Sequence, residues 1–173
     1  MRDKPVTAII ALIVGAGVAL GVRAASASTP SSPTNRGPGE PTIIAVLKNS
    51  TVRALDLSPK GPSQGDMRII MGPLFDPSGT WRIGRTDLFC TVTDPGTESG
   101  SNLQQTECLE TFSLLKGMIT AQGVHARKAL SAHALPFVDA VTGGTGAYKG
   151  ARGELRGTTR GNATTLTFSL IRP

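Results

Sequence analysis

The side chains in this sequence that could act on another molecule gather in two alternating runs, Thr80 to Thr93 and Leu103 to Leu115, joined by a loop over 94–102. Alternation of this kind reads as a β-hairpin, in which every second residue shares a face. One face would carry Cys90 and Cys108 with Arg82, Thr86, Thr106 and Glu110; the other would carry Arg85, Asp87, Glu107 and Thr111. Either set could hold a small molecule by charge-assisted hydrogen bonds, and Glu110 is a candidate catalytic carboxyl. The alternation does not decide which face points inward. Centring the hairpin near Ser99 sets Cys90 directly opposite Cys108, where Cβ atoms approach closely enough for a cross-strand disulfide. In an exported chain with two cysteines, a bridge is favoured over two free thiols.

Other chemistries fail on spacing. No Gly-x-Ser-x-Gly nucleophile elbow occurs. His125 and His133 lack cysteine or carboxylate neighbours at zinc spacing. No metal or cofactor is therefore expected, and both histidines are expected at the surface. The segment from Val141 to Gly153 places five glycines in eleven positions, which invites comparison with phosphate-binding loops. After Gly144 and Gly146 the third position of a dinucleotide fingerprint holds Lys149, and Lys149 precedes Gly150 where a phosphate loop needs glycine before lysine. Both motifs must also open a helix, whereas Arg152 to Arg160 alternates. The cluster reads instead as a tight corner between two strands.

The elements that would position these residues begin after an amino-terminal leader. Arg2 and Lys4 precede the uncharged run Val6 to Val22, and Ala25-Ser26-Ala27 follows Arg23. Basic, apolar and small-residue parts in that order predict a secretory signal peptide over 1–27, with an uncleaved membrane anchor as the alternative. Either places the folded part outside the cytoplasm, secreted or otherwise extracytoplasmic. Residues 28–41 are rich in Ser, Thr, Pro and Gly, the composition of a disordered tether. Beyond the leader the net charge is +4 and the whole chain has seven aromatics. With its arginines spread out, it lacks the basic, aromatic-studded face of a nucleic-acid binder.

Residues 42–173 then read as one domain of short strands. Thr42 to Leu57 is one bent strand or a hairpin; Met67 to Phe75 is a strand ending at the turn Asp76-Pro77-Ser78-Gly79; Gly117 to Val124 is another. His125 to His133 has helical propensity but falls where a strand pair is needed. Thr164 to Ile171 alternates most cleanly, with Leu166, Phe168 and Leu170 on one face. About eight strands with evenly spaced turns and no helical period predict an all-β fold, an eight-stranded antiparallel barrel of calycin-like form. Such a barrel leaves room for side chains or one small ligand.

The ordered set Gly65-Asp66, Leu74-Phe75-Asp76, Arg82-Ile83-Gly84, Phe89-Cys90, Phe112-Ser113-Leu114-x-x-Gly117-x-Ile119 and Gly143-Gly144-Thr145-Gly146-Ala147-Tyr148 resembles the allene oxide cyclase and dirigent barrel family over residues 65–170. The resemblance implies a barrel that encloses a hydrophobic small molecule and guides its cyclisation, isomerisation or coupling. It also implies a homotrimer formed through the barrel's outside, which leaves Leu166, Phe168 and Leu170 as either interface residues or cavity lining. In allene oxide cyclases the cysteine aligned with Cys90 faces the cavity, a thiol role that a disulfide would close. Dirigent proteins carry an arginine where Arg152 stands, so Arg152 becomes a candidate catalytic donor to a developing oxyanion. Cys90, Arg82, Thr86 and Tyr148 are the candidate pocket residues. Where many dirigent proteins have an acidic residue this chain has Ala147, and the glutamate and tyrosine of allene oxide cyclases have no counterpart. A non-catalytic ligand-binding or envelope protein is the alternative.

Overall fold

The computed structural model describes residues 42–57, 59–96, 102–128 and 135–171. These belong to the compact unit Arg36–Pro173. The expected signal peptide, the tether and His133 lie outside the described residues. Strands follow in chain order as β1 (Thr42–Lys48), β2 (Thr51–Leu55), β3 (Met67–Phe75), β4 (Arg82–Asp94), β5 (Leu103–Leu114), β6 (Gly117–Lys128), β7 (Phe137–Gly144), β8 (Arg152–Arg160) and β9 (Ala163–Ile171), with one 3₁₀ turn at Gly146–Tyr148.

From β3 to β9 each strand pairs antiparallel with the next. β1 closes the ring, pairing with β9 on one side and with β3 on the other through Val46↔Phe75 and Leu47↔Leu74. β2 continues along β3 in the same direction, from Thr51↔Met71 to Leu55↔Met67. Thr42 to Leu57 is therefore one stave bent at Asn49 and Ser50, because the two arms of a hairpin would run in opposite directions. Asn49 makes the bend at φ 52°, a left-handed conformation that asparagine tolerates better than most side chains. The result is an eight-stave antiparallel barrel closed by β1 between β9 and β3, while β2 pairs on one side, with β3.

The hairpin β4–β5 has the register expected from its centre, with Cys90 opposite Cys108 and a disulfide joining them. At the other end of β4 the predicted turn is present. Gly79 N–H donates to Asp76 O at 2.8 Å, and Asp76 Oδ1 accepts from the amides of Thr80 and Trp81. The Ser78 hydroxyl, with the Trp81 and Thr80 amides, holds the Asp76 carboxyl down to about 2. β6 runs unbroken as strand to Lys128, so sheet pairing with β5 overrides the helical propensity of Ala126, Arg127 and Lys128.

Alternation turns Leu74, Phe112, Ile119, Leu155 and Phe168 fully inward. Phe112 and Phe168 meet edge to face at 4.9 Å between ring centroids, the arrangement their quadrupoles favour. With Val141, Leu166 and Leu170 they pack the half of the barrel beneath the Gly146–Tyr148 turn. Leu166, Phe168 and Leu170 are thus core, and the reading of them as an outer interface is corrected: they occupy the inward phase of β9.

The disulfide closes a loop of 18 residues, so replacing Cys90 and Cys108 together by alanine is expected to cost about 3 kcal/mol on chain-entropy grounds. Urea unfolding of the double variant against the oxidised protein measures this. An unchanged midpoint would remove the bridge from the list of stabilising elements.

Candidate functional site

The large side chains that pack one half of the barrel give way in the other half to a cavity of about 370 Å³. Phe112, Leu166 and Leu47 line it, together with Ile70, Leu88, the Cys90–Cys108 bridge and Phe137. Its rim is polar and exposed, with Asn49, Ser50, Gly161 and Asn162. An apolar interior with a few placed polar groups is the usual form of a small-molecule site.

Two of those polar groups, Glu110 and His125, meet a third polar side chain, Asp139. Glu110 on β5, His125 on β6 and Asp139 on β7 are 2%, 8% and 2% exposed, which is rare for such groups unless they are paired. His125 Nε2 lies 2.8 Å from Asp139 Oδ2 and 3.5 Å from Glu110 Oε1. The His125 ring stacks on Phe137, with centroids 3.9 Å apart and planes 25° from parallel. Two glycines make room for this. A Cβ on Gly123 would fall 1.9 Å from Asp139 Oδ1, and one on Gly157 would fall 2.0 Å from Phe137 Cζ. Glycine at these two positions lets the Asp139 carboxylate lie across β6 and the Phe137 ring lie across β8.

The electrostatics separate the two carboxyls. Burial, and secondarily the charge of Asp139, push Glu110 well above the ordinary carboxyl range. Neither Glu110 oxygen has a hydrogen-bond partner among the described residues. Glu110 therefore holds its proton more tightly than an ordinary carboxyl, and it lines the cavity. Asp139 instead has His125 as its partner. Asp139 orients the ring through this contact, and the tautomer that donates Nε2–H to Asp139 is the one that leaves Nδ1 to accept. A carboxyl and an imidazole thus stand side by side. The donor atoms of Glu110, His125 and Asp139 also lie within 4.8 Å of one another, and two carboxylates with an imidazole could hold a divalent cation.

Of the residues singled out from sequence, Glu110, Cys90, Cys108 and Thr106 line this cavity. Inward alternation on β4 and β5 includes Cys90 and Cys108, which settles the choice of face. Thr86 shares that phase but is fully buried in the packed half, where its hydroxyl donates to Thr111 O at 3.3 Å. Arg82 is exposed at the start of β4 and bonds Gly84 O. Arg152 stands on the outside of β8, donating to Thr142 O at 3.0 Å and Ala151 O at 2.8 Å; the inward phase on β8 belongs to Leu155 and Gly157. Tyr148 packs against the core cluster at the closed end. None of these four lines the cavity.

The expectation of a surface position for His125 is overturned. Its partners come from neighbouring strands and not from nearby sequence, so a test of local spacing could not find them. Asp139 and Phe137 carried a weaker signal. In Phe137-Val138-Asp139-Ala140-Val141 a carboxylate occupies the same phase as two large apolar residues.

The family model of the allene oxide cyclase barrel like domain matches residues 48–169. Among solved structures, a pyocyanin demethylase is similar at 26% identity and a TM-score of 0.62, covering 75% of this chain and 99% of that one. A pterocarpan synthase dirigent protein is similar at 11% identity, TM-score 0.54, with 79% and 96% covered. An exo-specific intermolecular Diels-Alderase is similar at 16% identity, TM-score 0.51, with 75% and 98% covered. No curated protein sequence matches the chain.

The raised Glu110 makes stability pH-dependent. The folded chain keeps this proton to a pH at which the unfolded chain, with an ordinary value of 4.5, has lost it. Below that value both states hold the proton and burial carries no ionisation cost. As pH rises through the window between the unfolded and folded values, stability falls by up to about 1.4 kcal/mol per pH unit. Glu110→Gln cannot ionise and is expected to flatten that fall. Urea unfolding at a series of pH values from about 4.5 to 8 reads the difference. Parallel slopes in the two proteins would contradict the burial argument.

Proposed function

Because the chain belongs to the allene oxide cyclase barrel-like family, we propose that its cavity takes up a planar, hydrophobic small molecule and that Glu110 and His125 move protons on it. The observation that carries this reading is the buried Glu110 carboxyl set 3.5 Å from an imidazole that Asp139 orients, both lining one apolar cavity. Glu110 gives its proton to a heteroatom or carbon of the bound molecule. His125 Nδ1 takes one from another position, and Asp139 offsets the charge that develops on the ring. A cyclisation or isomerisation conserves the substrate's atoms and needs no more than this exchange, with the cavity walls holding the molecule in its reactive conformer.

A second reading is removal of an N-methyl group from an aromatic heterocycle: water supplies the oxygen with which the methyl carbon leaves as formaldehyde, the heterocycle takes up the two electrons, and the same side chains move the protons. The similarity to a pyocyanin demethylase at 26% identity over 99% of that chain favours this second reading. The leader sequence supports a site of action outside the cytoplasm.

Incubation of the purified protein with pyocyanin and with a panel of flexible polyenes and quinone methides, followed by mass spectrometry, separates the readings. A product of unchanged mass supports isomerisation or cyclisation, and loss of one methylene unit supports demethylation. Bound but unaltered ligand supports a carrier and rejects catalysis. Where turnover occurs, Glu110→Gln and His125→Asn are each expected to lower kcat by roughly 10²- to 10⁴-fold, the range of a lost general acid or base, with ligand affinity retained. Turnover is expected to survive exhaustive chelation; loss on chelation with recovery on adding a divalent cation would reassign the three side chains as metal ligands.

A further inference from the structure

Proton transfer employs Glu110 and His125, but it leaves part of the cluster without a use. Both oxygens of Glu110 and Oδ1 of Asp139 are closed off from solvent and accept no hydrogen bond. A buried carboxyl oxygen without a donor bears the cost of its lost hydration, and three such atoms in one place call for a positive partner. The side chains come from β5, β6 and β7, which are neighbours in the sheet. The bare Cα of Gly123 is what lets Asp139 Oδ1 lie where it does.

One donor atom from each of Glu110, His125 and Asp139 lies within 4.8 Å of the other two. A tetrahedral ion with bonds of about 2.0–2.1 Å sets its ligand atoms roughly 3.4 Å apart. His125 Nε2 already stands 3.5 Å from Glu110 Oε1 and 2.8 Å from Asp139 Oδ2, so the second contact alone has to widen, by roughly half an ångström. An imidazole with two carboxylates suits Zn²⁺. It suits Mg²⁺ poorly, because that ion demands octahedral geometry and gives up its water reluctantly. Arg68 and Arg127 line the same cavity and their charges oppose a cation, so both carboxylates and the imidazole are needed together.

We propose that Glu110, His125 and Asp139 form a binding site for a divalent ion of the Zn²⁺ class, and that its occupancy and proton transfer exclude one another. The ion bonds one oxygen from each carboxylate and Nε2 of His125, any proton on those atoms passes to solvent, and the imidazole carries its proton on Nδ1. Glu110 then has no proton to give, and Nδ1 has no lone pair with which to take one. The cation silences the cluster. This silencing rests on the proton-transfer reading of the cavity; the cation site itself does not.

Calorimetric titration of the chelator-stripped full chain with Zn²⁺, and visible absorbance on adding Co²⁺, read the site without any substrate. One Zn²⁺ per chain is expected. Bound Co²⁺ is expected to show the intense bands of a four-coordinate ion and to be displaced by Zn²⁺, whereas Mg²⁺ leaves those bands unchanged. Glu110→Gln, His125→Asn and Asp139→Asn are each expected to weaken Zn²⁺ binding at least about 100-fold, the upper end of what loss of a supporting contact alone costs. His133→Asn, which removes the chain's other histidine, and Glu107→Gln, on the outer phase of β5, are expected to change nothing. Zn²⁺ binding that survives the three cluster variants would overturn the site, as would a lack of four-coordinate Co²⁺ bands in the unaltered protein, which decides the matter even where a variant fails to fold. Either result leaves the proton-transfer reading standing. Where the metal-free protein turns a substrate over, one equivalent of Zn²⁺ is expected to stop turnover and a chelator to restore it. Zn²⁺ held by the cluster with turnover undiminished would overturn the exclusion and, with it, the role of these side chains as proton carriers.

Discussion

Every second side chain of eight closed staves has to share one interior, and the volumes placed there decide where the barrel is solid and where it is hollow. Leu74, Phe112, Ile119, Leu155 and Phe168 fill the half beneath the 3₁₀ turn, all at negligible exposure. Towards the β8–β9 turn the same inward phase carries Gly157, Thr159 and Thr164, too small to reach the axis. Close packing is the rule for protein interiors. A cavity of about 370 Å³ inside an otherwise packed barrel is therefore a feature of residue choice along the strands.

That hollow makes the polar cluster both costly and useful. Three ionisable side chains within one buried cluster would be destabilising if each had to be charged and unpaired. The structure pairs His125 with Asp139, and burial raises Glu110 so that its uncharged form is favoured. The unsatisfied Glu110 oxygens are a standing cost of about the size of a lost buried hydrogen bond. A cost of this kind is common where a group must be ready to act on a ligand. The stacking of Phe137 on His125 and the missing side chains at Gly123 and Gly157 serve the same end, because they hold the imidazole in one orientation without filling the space it faces.

The cavity lining is mixed in character. Apolar walls and the disulfide share it with Glu110, His125 and the half-buried Arg68 and Arg127. Low dielectric deep in the barrel strengthens each polar contact made there. Asn49, Ser50, Gly161 and Asn162 are exposed to water.

Much of this architecture could be read along the chain. Period-two alternation in β9, the turn at Asp76 to Gly79 and the mirror placement of Cys90 and Cys108 are local or depend on a single hairpin, and each is present as expected. Glu110 was identified as a candidate because it shares a phase with the two cysteines. The burial of His125, its pairing with Asp139 and the outward placing of Arg152 were beyond such reasoning. They depend on which strands become neighbours, on the shear that sets β5, β6 and β7 against one another, and on two glycines whose meaning is visible only when a neighbour's side chain lies across them. Sequence by itself determined the periodicity of the strands and therefore an all-β barrel; only closure in three dimensions decided which polar residues would share the interior, because strand register is a long-range property that no single stretch of the chain contains.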